Sequence, residues 1–515
     1  MRTNPATQID GYKVDHRRQY PDGTQIIVSN LTARATRRPN TNKVVFAGLQ
    51  YFLKEYLIKQ WNENFFNKPL ETVLKSFNRR INNYLGPNRV GDQHIRDLHE
   101  LGYLPIAIVS LPEGTEYPIQ VPSLMIWNTN DKFFWITNYL ETILSTSIWG
   151  ICTSATTAHQ YKKVLTKYAL ETVGNADFVQ WQAHDFSFRG MFGMEAACMS
   201  GAAHLFSFTG TDTIPAIDFL EEYYNADCEK ELIGGSVAAT EHSVACSTIL
   251  NFVEKIRIEN AGTDNEVIIE DDLMNLADIE YVRHLITDVY PEGVVSIVAD
   301  SFDYWNTITN TSRVLKDVIL KRDGKVVFRP DTGDPVKVVV GDSEAPAGSH
   351  EYKGSIEALW EVFGGVVSPQ GYRLLDPHVG LIYGDSITLD RSVAICEGLK
   401  QKHFASTNIV FGIGSFSYSY VTRDTDGYAV KATFCRIDDT DREIYKSPKG
   451  KGGEFKKSAK GLTAVFKNAD GEFYLKDQAT WDEVNNCEFV KVFENGKLLK
   501  DYTLQEVRDN LAQYL

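Results

Sequence analysis

The sequence is poor in cysteine and has no long apolar run. Its seven cysteines are odd in number, widely spaced and without a C-x-x-C pair, which argues against a disulfide framework and a structural zinc site. No apolar run approaches the ~18–20 residues that a membrane-spanning helix needs, so we expect no membrane association. Residues 1–10 lack the apolar core of a signal peptide. Together with the cysteine usage, this predicts a cytoplasmic protein.

Basic residues are outnumbered, with 53 Lys and Arg against 68 Asp and Glu and a formal net charge of −15. Surfaces that follow nucleic-acid phosphates are usually basic, so nucleic-acid binding is not expected. A small anion can still bind where positive charge is gathered, as it is at Arg34, Arg37 and Arg38. A second group is a Gly-rich lysine segment, which composition alone would make a solvated loop. Its members are Lys446, Lys449, Lys451, Lys456, Lys457 and Lys460.

Several common catalytic motifs are absent. The sequence contains no G-x-x-x-x-G-K-[ST], no H-E-x-x-H and no G-x-S-x-G, which excludes P-loop, zinc-protease and serine-hydrolase interpretations. Gly412-Ile-Gly414 begins a G-x-G-x-x-G motif, but Ser417 stands where the last glycine would be. A dinucleotide-binding fingerprint is therefore not supported.

Between residues 183 and 414, short apolar runs alternate with stretches that have apolar residues at helical spacing. The runs are 183–189, 205–212, 294–300, 326–331, 379–385 and 408–414, and the predicted helices are 214–224, 243–258 and 387–402. This alternation indicates a parallel sheet. Because run after run ends in Asp, Arg or Gly, we favour a (β/α) barrel with its site at the carboxyl ends of the strands. An open doubly wound sheet, which would gather such groups mainly at one switch point, is the alternative.

The two ends of the chain have a different pattern. Residues 1–150 mix β-like runs (25–31, 104–110) with aromatic-rich helical stretches (45–61, 133–148), and Asp470-Gly471 and Asn495-Gly496 are hairpin signals. We therefore predict an α/β protein in three parts. Residues 1–150 begin a mixed, β-rich flanking domain, residues 151–414 form the central barrel, and residues 415–515 return to the flanking domain.

A series of short motifs then identifies a family. In chain order they are Asp10-Gly-Tyr-Lys13, Gln19-Tyr-Pro21, Gly48-Leu-Gln-Tyr51, Leu140-Glu-Thr-Ile-Leu144, His184-Asp-Phe186, Arg189-Gly190, Gly210-Thr-Asp-Thr213, Glu241-His-Ser243, Arg329-Pro-Asp331, Gly384-Asp385 and Thr422-Arg-Asp424. In this order they resemble the nicotinamide phosphoribosyltransferases over nearly the whole chain. The resemblance implies a type II phosphoribosyltransferase fold, with an irregular barrel and a β-rich domain, and a homodimer with shared active sites. It also implies transfer of the phosphoribosyl group of 5-phosphoribosyl-1-pyrophosphate (PRPP) to nicotinamide, a step of NAD salvage.

The chemistry of that reaction needs a flat binding slot and local positive charge. The ring nitrogen of nicotinamide has a free lone pair, so its attack on C1 of PRPP requires no general base. The protein positions the ring and disperses charge on the departing pyrophosphate. By the resemblance, Phe186 and the partner subunit's Tyr12 stack on the pyridine ring, and Asp212 accepts from the carboxamide NH₂. Ser296 and Arg329 lie around the amide oxygen. Taken alone, the aromatics would be core residues and Asp212 a helix N-cap.

The resemblance also implies the groups around PRPP. The cations that hold its phosphates are Arg34, Arg189, Arg329, Lys431 and Lys446, of which Arg34 and the lysines reach across the dimer. The ribose and 5′-phosphate site consists of Asp331, Gly384, Asp385, Gly414 and, from the neighbouring subunit, Arg423. Asp300 belongs to the phosphate environment and is the candidate ligand of Mg²⁺, held through pyrophosphate. A Gly-Asp pair after a strand is also compatible with an ordinary tight turn.

His242 is expected to accept a phosphoryl group from ATP, a co-substrate that in the family improves the use of PRPP. An imidazole can do so when one of its nitrogens is held by a partner. With Asp300, Arg329 and Asp331 it makes up the predicted catalytic set. Without the resemblance, a histidine beside a glutamate would be interpreted as a merely hydrogen-bonded side chain.

Two departures and two alternatives remain at this point. Gly412-Ile-Gly-Ser-Phe-Ser417 stands where the family has a longer glycine run, and Ser187-Phe188 replaces a usual Gly-Tyr. Nicotinate phosphoribosyltransferase is the nearest alternative, but Asp212 would repel the carboxylate of nicotinate. A non-catalytic binding or signalling protein on the same scaffold is the second. It is disfavoured by the joint presence of His242, Asp300, Arg329, Asp331 and Asp385.

Overall fold

The computed structural model describes residues 3–39, 41–87, 89–263, 269–446 and 459–515. Of the Gly-rich lysine segment, Lys449, Lys451, Lys456 and Lys457 lie outside these residues. The chain forms two compact units. The flanking unit comprises Met1–Thr156, Pro215–Glu231 and Val421–Tyr514, and the barrel unit comprises Thr157–Ile214, Leu232–Tyr420 and Leu515.

A seven-stranded, wholly parallel sheet forms the centre of the barrel unit. Its strands in chain order are Ala183–Asp185, Gly210–Thr211, Ala238–Ala239, Gly293–Val298, Gly324–Arg329, Val379–Tyr383 and Ile409–Ile413. Val379–Tyr383 is buried throughout, as expected for a parallel strand covered on both faces. The predicted α/β class with a parallel barrel sheet is therefore confirmed.

The order of the strands shows that this sheet curls round on itself. The strand Ala183–Asp185 pairs with both Gly210–Thr211 and the last strand, Ile409–Ile413. A parallel bridge then joins Gly210, on one edge strand, to Gly235, three residues before the other edge strand, Ala238–Ala239. It is supported by hydrogen bonds from Thr211 N–H to the Gly235 carbonyl at 3.0 Å and from Gly235 N–H to the Thr209 carbonyl at 2.8 Å. All the carboxyl ends consequently meet at one end of the barrel.

Helices surround this sheet and close its core. Among the described residues, the α-helices of the barrel unit that have at least six residues are Met194–Leu205, His242–Asn260, Glu270–His284, Lys316–Lys321, Pro335–Val340, Ser355–Phe363 and Leu389–Gln401. A short antiparallel hairpin joins Gly365–Val367 to Arg373–Leu375. Buried aliphatic and aromatic side chains from strands and helices form one core, which includes Val295, Phe328, Leu381 and Leu399.

The flanking unit contains an antiparallel seven-stranded sheet built from both chain ends. Across the sheet the strands are Thr440–Glu443, Tyr428–Ile437, Thr24–Ala33, Pro122–Asn128, Ile106–Ser110, Val490–Glu494 and Lys497–Leu498. The predicted Asn495-Gly496 hairpin is present, with φ of 50° and 78° at these residues. Both values lie in the left-handed region, which suits a two-residue turn. The longer helices here include Leu70–Leu85, Gln93–Leu101, Pro215–Tyr224 and Leu504–Ala512, and the 32-residue helix Glu141–Thr172 begins in this unit.

Several predicted elements differ from the structure, and the run 183–189 is strand only at Ala183–Asp185. The run 205–212 is strand only at Gly210–Thr211, because Leu205 ends the helix Met194–Leu205. The helical stretch 45–61 begins at Leu49, since Lys43–Val45 pairs as a strand with Glu116–Pro118. The stretch 133–148 is interrupted before Glu141–Thr172 by short turns, which its aromatic periodicity did not reveal. In the described part of the chain, no helix is both long and apolar enough to cross a bilayer.

Candidate active site

Each strand of the barrel sheet is followed at its carboxyl end by a predicted site residue. In chain order these residues are Phe186, Asp212, His242, Asp300, Asp331, Asp385 and Gly414. Parallel strands bring these ends together, so groups that are distant in sequence meet at one end of the barrel. The sheet topology therefore explains why the strands end in polar or glycine residues.

A cavity of about 430 Å³ lies among these strand ends and is called the rim cavity below. Its lining residues are Phe186, Arg189, Asp212, Arg329, Asp331, Gly384, Asp385, Ser386, Gly414, Ser415 and Phe416. The first seven and Gly414 belong to the predicted site. Ser386, Ser415 and Phe416 were not predicted as site residues, although the last two form the departure from the family's glycine run. The structure thus brings aromatic, cationic and acidic groups to one volume.

The ring of Phe186 packs against two glycines near the carboxyl ends of neighbouring strands. A Cβ on Gly412 would come within 2.5 Å of the Phe186 ring, and a Cβ on Gly384 within 3.5 Å. The Phe186 N–H donates to the carbonyl of Ile413 at 3.0 Å, which fixes the backbone beneath the ring. The half-buried ring also lines the rim cavity. It therefore offers an aromatic surface to a flat ligand.

Asp212 is held by two neighbours at the wall of this cavity. Its Oδ1 lies 2.8 Å from His184 Nε2 and accepts from the Ser236 hydroxyl, also at 2.8 Å. Burial alone would raise the pKa of Asp212, but the hydrogen bonds with His184 and Ser236 and the charge of Arg329 together hold it below its usual value. The side chain is half exposed, so an ionised carboxylate faces the cavity.

Arg329 is partly buried and incompletely paired. Its Nη2 donates to the carbonyl of Thr240 at 2.7 Å, and its Nε lies 3.5 Å from Asp331 Oδ2. In the described part of the chain, Nε is buried without a hydrogen-bond partner. Burial and the nearby carboxylates of Asp300 and Asp385 raise the pKa of Asp331, although Arg329 opposes the shift. Such an unsatisfied donor beside crowded carboxylates is typical of a ligand site.

His242 and Asp300 form the second polar contact of the predicted catalytic set. His242 begins the helix His242–Asn260, and its Nε2 lies 2.9 Å from Asp300 Oδ1. The other oxygen, Asp300 Oδ2, accepts from the Asp331 N–H at 2.9 Å and from the Thr332 hydroxyl at 2.6 Å. Burial would raise the pKa of Asp300, but these hydrogen bonds lower it overall. An ionised Asp300 that accepts from Nε2–H leaves the lone pair of His242 on Nδ1.

A second, mainly apolar cavity of about 600 Å³ lies inside the same barrel and is called the inner cavity below. Its lining includes Trp181, His184, Ser236, Ser296 and Lys325. Ser296 was predicted beside Arg329 around an amide oxygen, but it lines the inner cavity, whereas Arg329 lines the rim cavity. Its hydroxyl is buried without a partner among the described residues. The role predicted for Ser296 stays a prediction.

The remaining predicted residues belong to the flanking unit: Tyr12, Arg34, Arg423, Lys431 and Lys446. Tyr12 is 65% exposed and packs edge-on against His16. Arg34 follows the strand Thr24–Ala33 and donates through Nε to the Gly427 carbonyl at 3.1 Å. Arg423 lies only four residues before Gly427, and Lys431 is exposed on the adjoining strand. Arg34 and Arg423 therefore lie near the beginning of the strand Tyr428–Ile437, which carries Lys431, and Arg423 also lies 3.6 Å from Asp424 Oδ1.

The sequence interpretation gave no role to several contacts that shape the site. His184 was quoted only as part of a motif, and Ser236, Thr240 and Thr332 were not considered. For His184 a signal existed: residues two apart on a strand share a face, and the ring of His184 lies 4.8 Å from that of Phe186. For Ser236, Thr240 and Thr332 no local signal existed, because their contacts join different strand ends.

Comparisons with known sequences agree with this geometry. The profile of the nicotinate phosphoribosyltransferase family matches residues 181–496, and that of the nicotinamide phosphoribosyltransferase N-terminal domain matches residues 4–108. The chain is 46% identical to a nicotinamide phosphoribosyltransferase of Acinetobacter baylyi, over 100% of this chain and 98% of that protein. It is 30% identical to one of Mycoplasma pneumoniae, over 85% of this chain and 91% of that protein.

Solved structures support the fold at much lower sequence identity. Human nicotinic acid phosphoribosyltransferase superposes with a TM-score of 0.56 at 12% identity, over 98% of this chain and 93% of that chain. Nicotinate-nucleotide pyrophosphorylase from Pyrococcus furiosus gives a TM-score of 0.52 at 13% identity, over 99% of this chain and 95% of that chain. The predicted type II phosphoribosyltransferase fold is thereby confirmed.

Proposed function

The chain belongs to the nicotinate phosphoribosyltransferase family and, within it, to the nicotinamide phosphoribosyltransferases, and from this we propose its substrates and the residues that act on them. The reaction joins nicotinamide to PRPP and gives nicotinamide mononucleotide and pyrophosphate. The observation that supports the choice of base is the ionised Asp212 beside Phe186 in the rim cavity. A carboxylate accepts a hydrogen bond from the carboxamide NH₂ of nicotinamide and repels the carboxylate of nicotinate.

The transfer forms a bond from the pyridine nitrogen to C1 of the ribose and breaks the bond from C1 to the pyrophosphate oxygen. Nicotinamide supplies the electron pair, and pyrophosphate leaves with the pair of the broken bond. Arg189 and Arg329 lie where positive charge would stabilise that leaving group. Asp331 and Asp385, which line the same cavity, would bind the ribose hydroxyls and stabilise positive charge that develops on the sugar.

Magnesium fits the donor set as an ion carried by pyrophosphate. The described residues contain no cluster of three or more His, Cys, Asp or Glu that could hold a metal by themselves. Mg²⁺ commonly takes one or two carboxylates together with substrate phosphates, and Asp300, Asp331 and Asp385 are the carboxylates at the strand ends. When bound there, the ion would neutralise charge on the pyrophosphate.

The geometry of His242 supports facultative coupling to ATP. Asp300 holds Nε2, so Nδ1 would attack the γ-phosphorus of ATP, with release of ADP and formation of a phosphohistidine. Later hydrolysis of that phosphoramidate would return His242 and yield inorganic phosphate. The imidazole takes no part in the bond change at C1, so mononucleotide synthesis without ATP remains chemically possible.

The proposal includes a homodimer with composite sites. The positive charge at Arg34, Arg423 and Lys431, together with the exposed Tyr12, would complete the rim cavity of a second copy. A twofold axis would then create two identical sites, each with the barrel of one subunit and the flanking unit of the other. By the family resemblance, Lys446 would also reach across the dimer to the phosphates in the partner's site. All seven cysteines are free thiols, which suits a reducing cytoplasm.

The decisive experiment is a product assay with purified protein, PRPP and Mg²⁺, with nicotinamide or nicotinate and with or without ATP. We expect nicotinamide mononucleotide and pyrophosphate in equal amounts, faster product formation with ATP, and little product from nicotinate. A higher kcat/KM for nicotinate would establish the alternative base instead. No mononucleotide from either base, in protein shown to bind PRPP, would favour a non-catalytic role.

A further inference from the structure

We infer that His184 is a positioning residue for base recognition, which holds the carboxylate of Asp212 in the orientation that nicotinamide requires. The inference rests on the proposed role of Asp212 and goes beyond it. His184 lies on the strand Ala183–Asp185, whereas Asp212 follows the neighbouring strand Gly210–Thr211. The imidazole therefore connects the two strand ends that carry Phe186 and Asp212.

The two carboxylate oxygens of Asp212 differ in their hydrogen bonds. Both contacts, from His184 Nε2 at 2.8 Å and from the Ser236 hydroxyl at 2.8 Å, fall on Oδ1. Among the described residues, no hydrogen bond to Oδ2 is formed by a protein group. A carboxylate with one oxygen occupied by two donors has little rotational freedom, and its second oxygen is available to accept from the carboxamide NH₂.

The surroundings of His184 fix the imidazole itself. A Cβ on Gly210 would lie only 2.7 Å from His184 Nδ1, so the glycine provides the space in which the ring sits. On another side the ring packs against Phe186, with centroids 4.8 Å apart and an angle of 50° between the planes. His184 is 9% exposed. One buried side chain thus sets the relative placement of the stacking ring and the hydrogen-bonding carboxylate.

The position can be varied without closing the rim cavity. His184 lines the inner cavity, where a substituted side chain has room, while Asp212 lines the rim cavity. Glutamine and asparagine distinguish the two ring nitrogens, because the amide nitrogen of Gln reaches towards the place of Nε2 and that of Asn towards the place of Nδ1. A leucine fills a similar volume and supplies no donor.

The test compares His184→Leu, His184→Gln and His184→Asn by steady-state kinetics. Loss of a hydrogen bond to a charged acceptor should raise the KM for nicotinamide about tenfold in His184→Leu and His184→Asn. Glutamine should restore most of the affinity. The KM for PRPP should change less than about twofold in all three variants, because the phosphate groups are untouched. An unchanged KM for nicotinamide in His184→Leu, or equal losses in Gln and Leu variants, would overturn the inference.

Two further variants keep the result interpretable. Ser236→Ala removes only a hydroxyl from an exposed residue and should raise the KM for nicotinamide about two- to fivefold, even if His184→Leu does not fold. In Asp212→Asn, adding His184→Leu should cause little further loss, since the two residues act as a unit. Full additivity of the two losses would contradict the positioning role. Failure of the proposed function is distinguishable, since it would appear as an inactive or nicotinate-preferring wild type.

Discussion

The rim cavity and the inner cavity are formed by the same strands but have opposite chemistry. On the strand Gly324–Arg329, alternate residues share one face, so Lys325, Val327 and Arg329 all point into the barrel. The first two line the inner cavity and the third lines the rim cavity. Lys325 and Arg329 are about 13 Å apart along the strand, and over this length the strand passes from the mainly apolar inner cavity to the charged rim cavity. The position along a strand, rather than the strand itself, therefore decides whether a residue serves packing or chemistry.

The largest expected effect distinguishes Arg329 from Lys325, two cations on the same face of the strand Gly324–Arg329. Arg329→Ala should lower kcat/KM about a thousandfold, because it removes the partly buried guanidinium proposed to stabilise the leaving group. Lys325→Met, four residues earlier in the inner cavity, should change kcat/KM less than about threefold. Burial lowers the pKa of Lys325, and the side chain lines the inner cavity, so the substitution removes no charge from the rim cavity. Equal losses in the two variants, measured by steady-state kinetics, would show that the cavities act as one site.

A mixing experiment tests whether a partner subunit completes the rim cavity. Arg329→Ala and Arg423→Ala should each give nearly inactive homodimers. In co-expressed heterodimers, one composite site carries both changes and the other carries none. With random pairing, activity should recover to about a quarter of wild type. If both residues serve a site within one chain, heterodimers confirmed by native mass spectrometry will be as inactive as the parents.

Asp212→Asn tests the base specificity of the rim cavity. The variant keeps the size of the side chain but loses the charge, so kcat/KM for nicotinamide should fall about ten- to a hundredfold. The exclusion of nicotinate should weaken at the same time, since the repelling charge is gone. Competition between the two bases, followed by chromatography of the mononucleotides, measures both changes. An unaltered product ratio would remove Asp212 from the base site.

His242→Ala should abolish the stimulation by ATP and spare part of the ATP-independent synthesis. Radiolabel from γ-labelled ATP should appear on the wild type as an acid-labile, base-stable modification and be absent from the variant. Asp300→Asn offers a graded comparison, since it weakens the acceptor for Nε2–H without removing the imidazole. Undiminished ATP hydrolysis in His242→Ala would assign the phosphoryl acceptor to another residue.

The smallest effect concerns stability. Burial first, and then Asp300 and Asp385, raise the pKa of Asp331 in the folded protein. Between the unfolded and folded pKa values the folded state binds more protons, so stability falls as pH rises through this interval, and the ionised group remains destabilising at neutral pH. Asp331→Asn should therefore raise Tm by about 1–3 °C near pH 7 while impairing activity. The gain should shrink towards about pH 4, as calorimetry can show. A lower Tm near pH 7, against an Asp477→Asn surface control, would contradict this sign.

Much of the architecture follows from local patterns in the sequence. Apolar runs that end in Asp, Arg or Gly predicted a barrel, and Asn495-Gly496 predicted a hairpin. The two-residue strand Ala238–Ala239 could not be predicted, because so short an element has no periodicity and depends on its pairing with Gly293–Val298. The extent of the strand Gly210–Thr211 was overestimated because Leu205 and Phe206 are apolar. In the structure these two residues form the end of a helix.

The residues of the candidate site differed in how far they could be predicted from the sequence. The residues directly after strands, such as Asp331 and Asp385, were predictable from the topology and the family motifs together. Their hydrogen-bond partners were not, since Thr240 contributes a backbone carbonyl and Ser236 lies on a segment without a motif. Such contacts depend on the lateral order of strands, which local sequence does not encode.

The bridge between Gly210 and Gly235 has a mechanical consequence. The bridge closes the curled sheet. Asp212, two residues after Gly210, accepts a hydrogen bond from Ser236, the residue that follows Gly235. This side-chain hydrogen bond extends the set of backbone hydrogen bonds that join the two segments. If Asp212 selects the base as proposed, its carboxylate also helps to hold the barrel closed, and a substitution that breaks the hydrogen bond between Ser236 and Asp212 should alter base selectivity and barrel closure together.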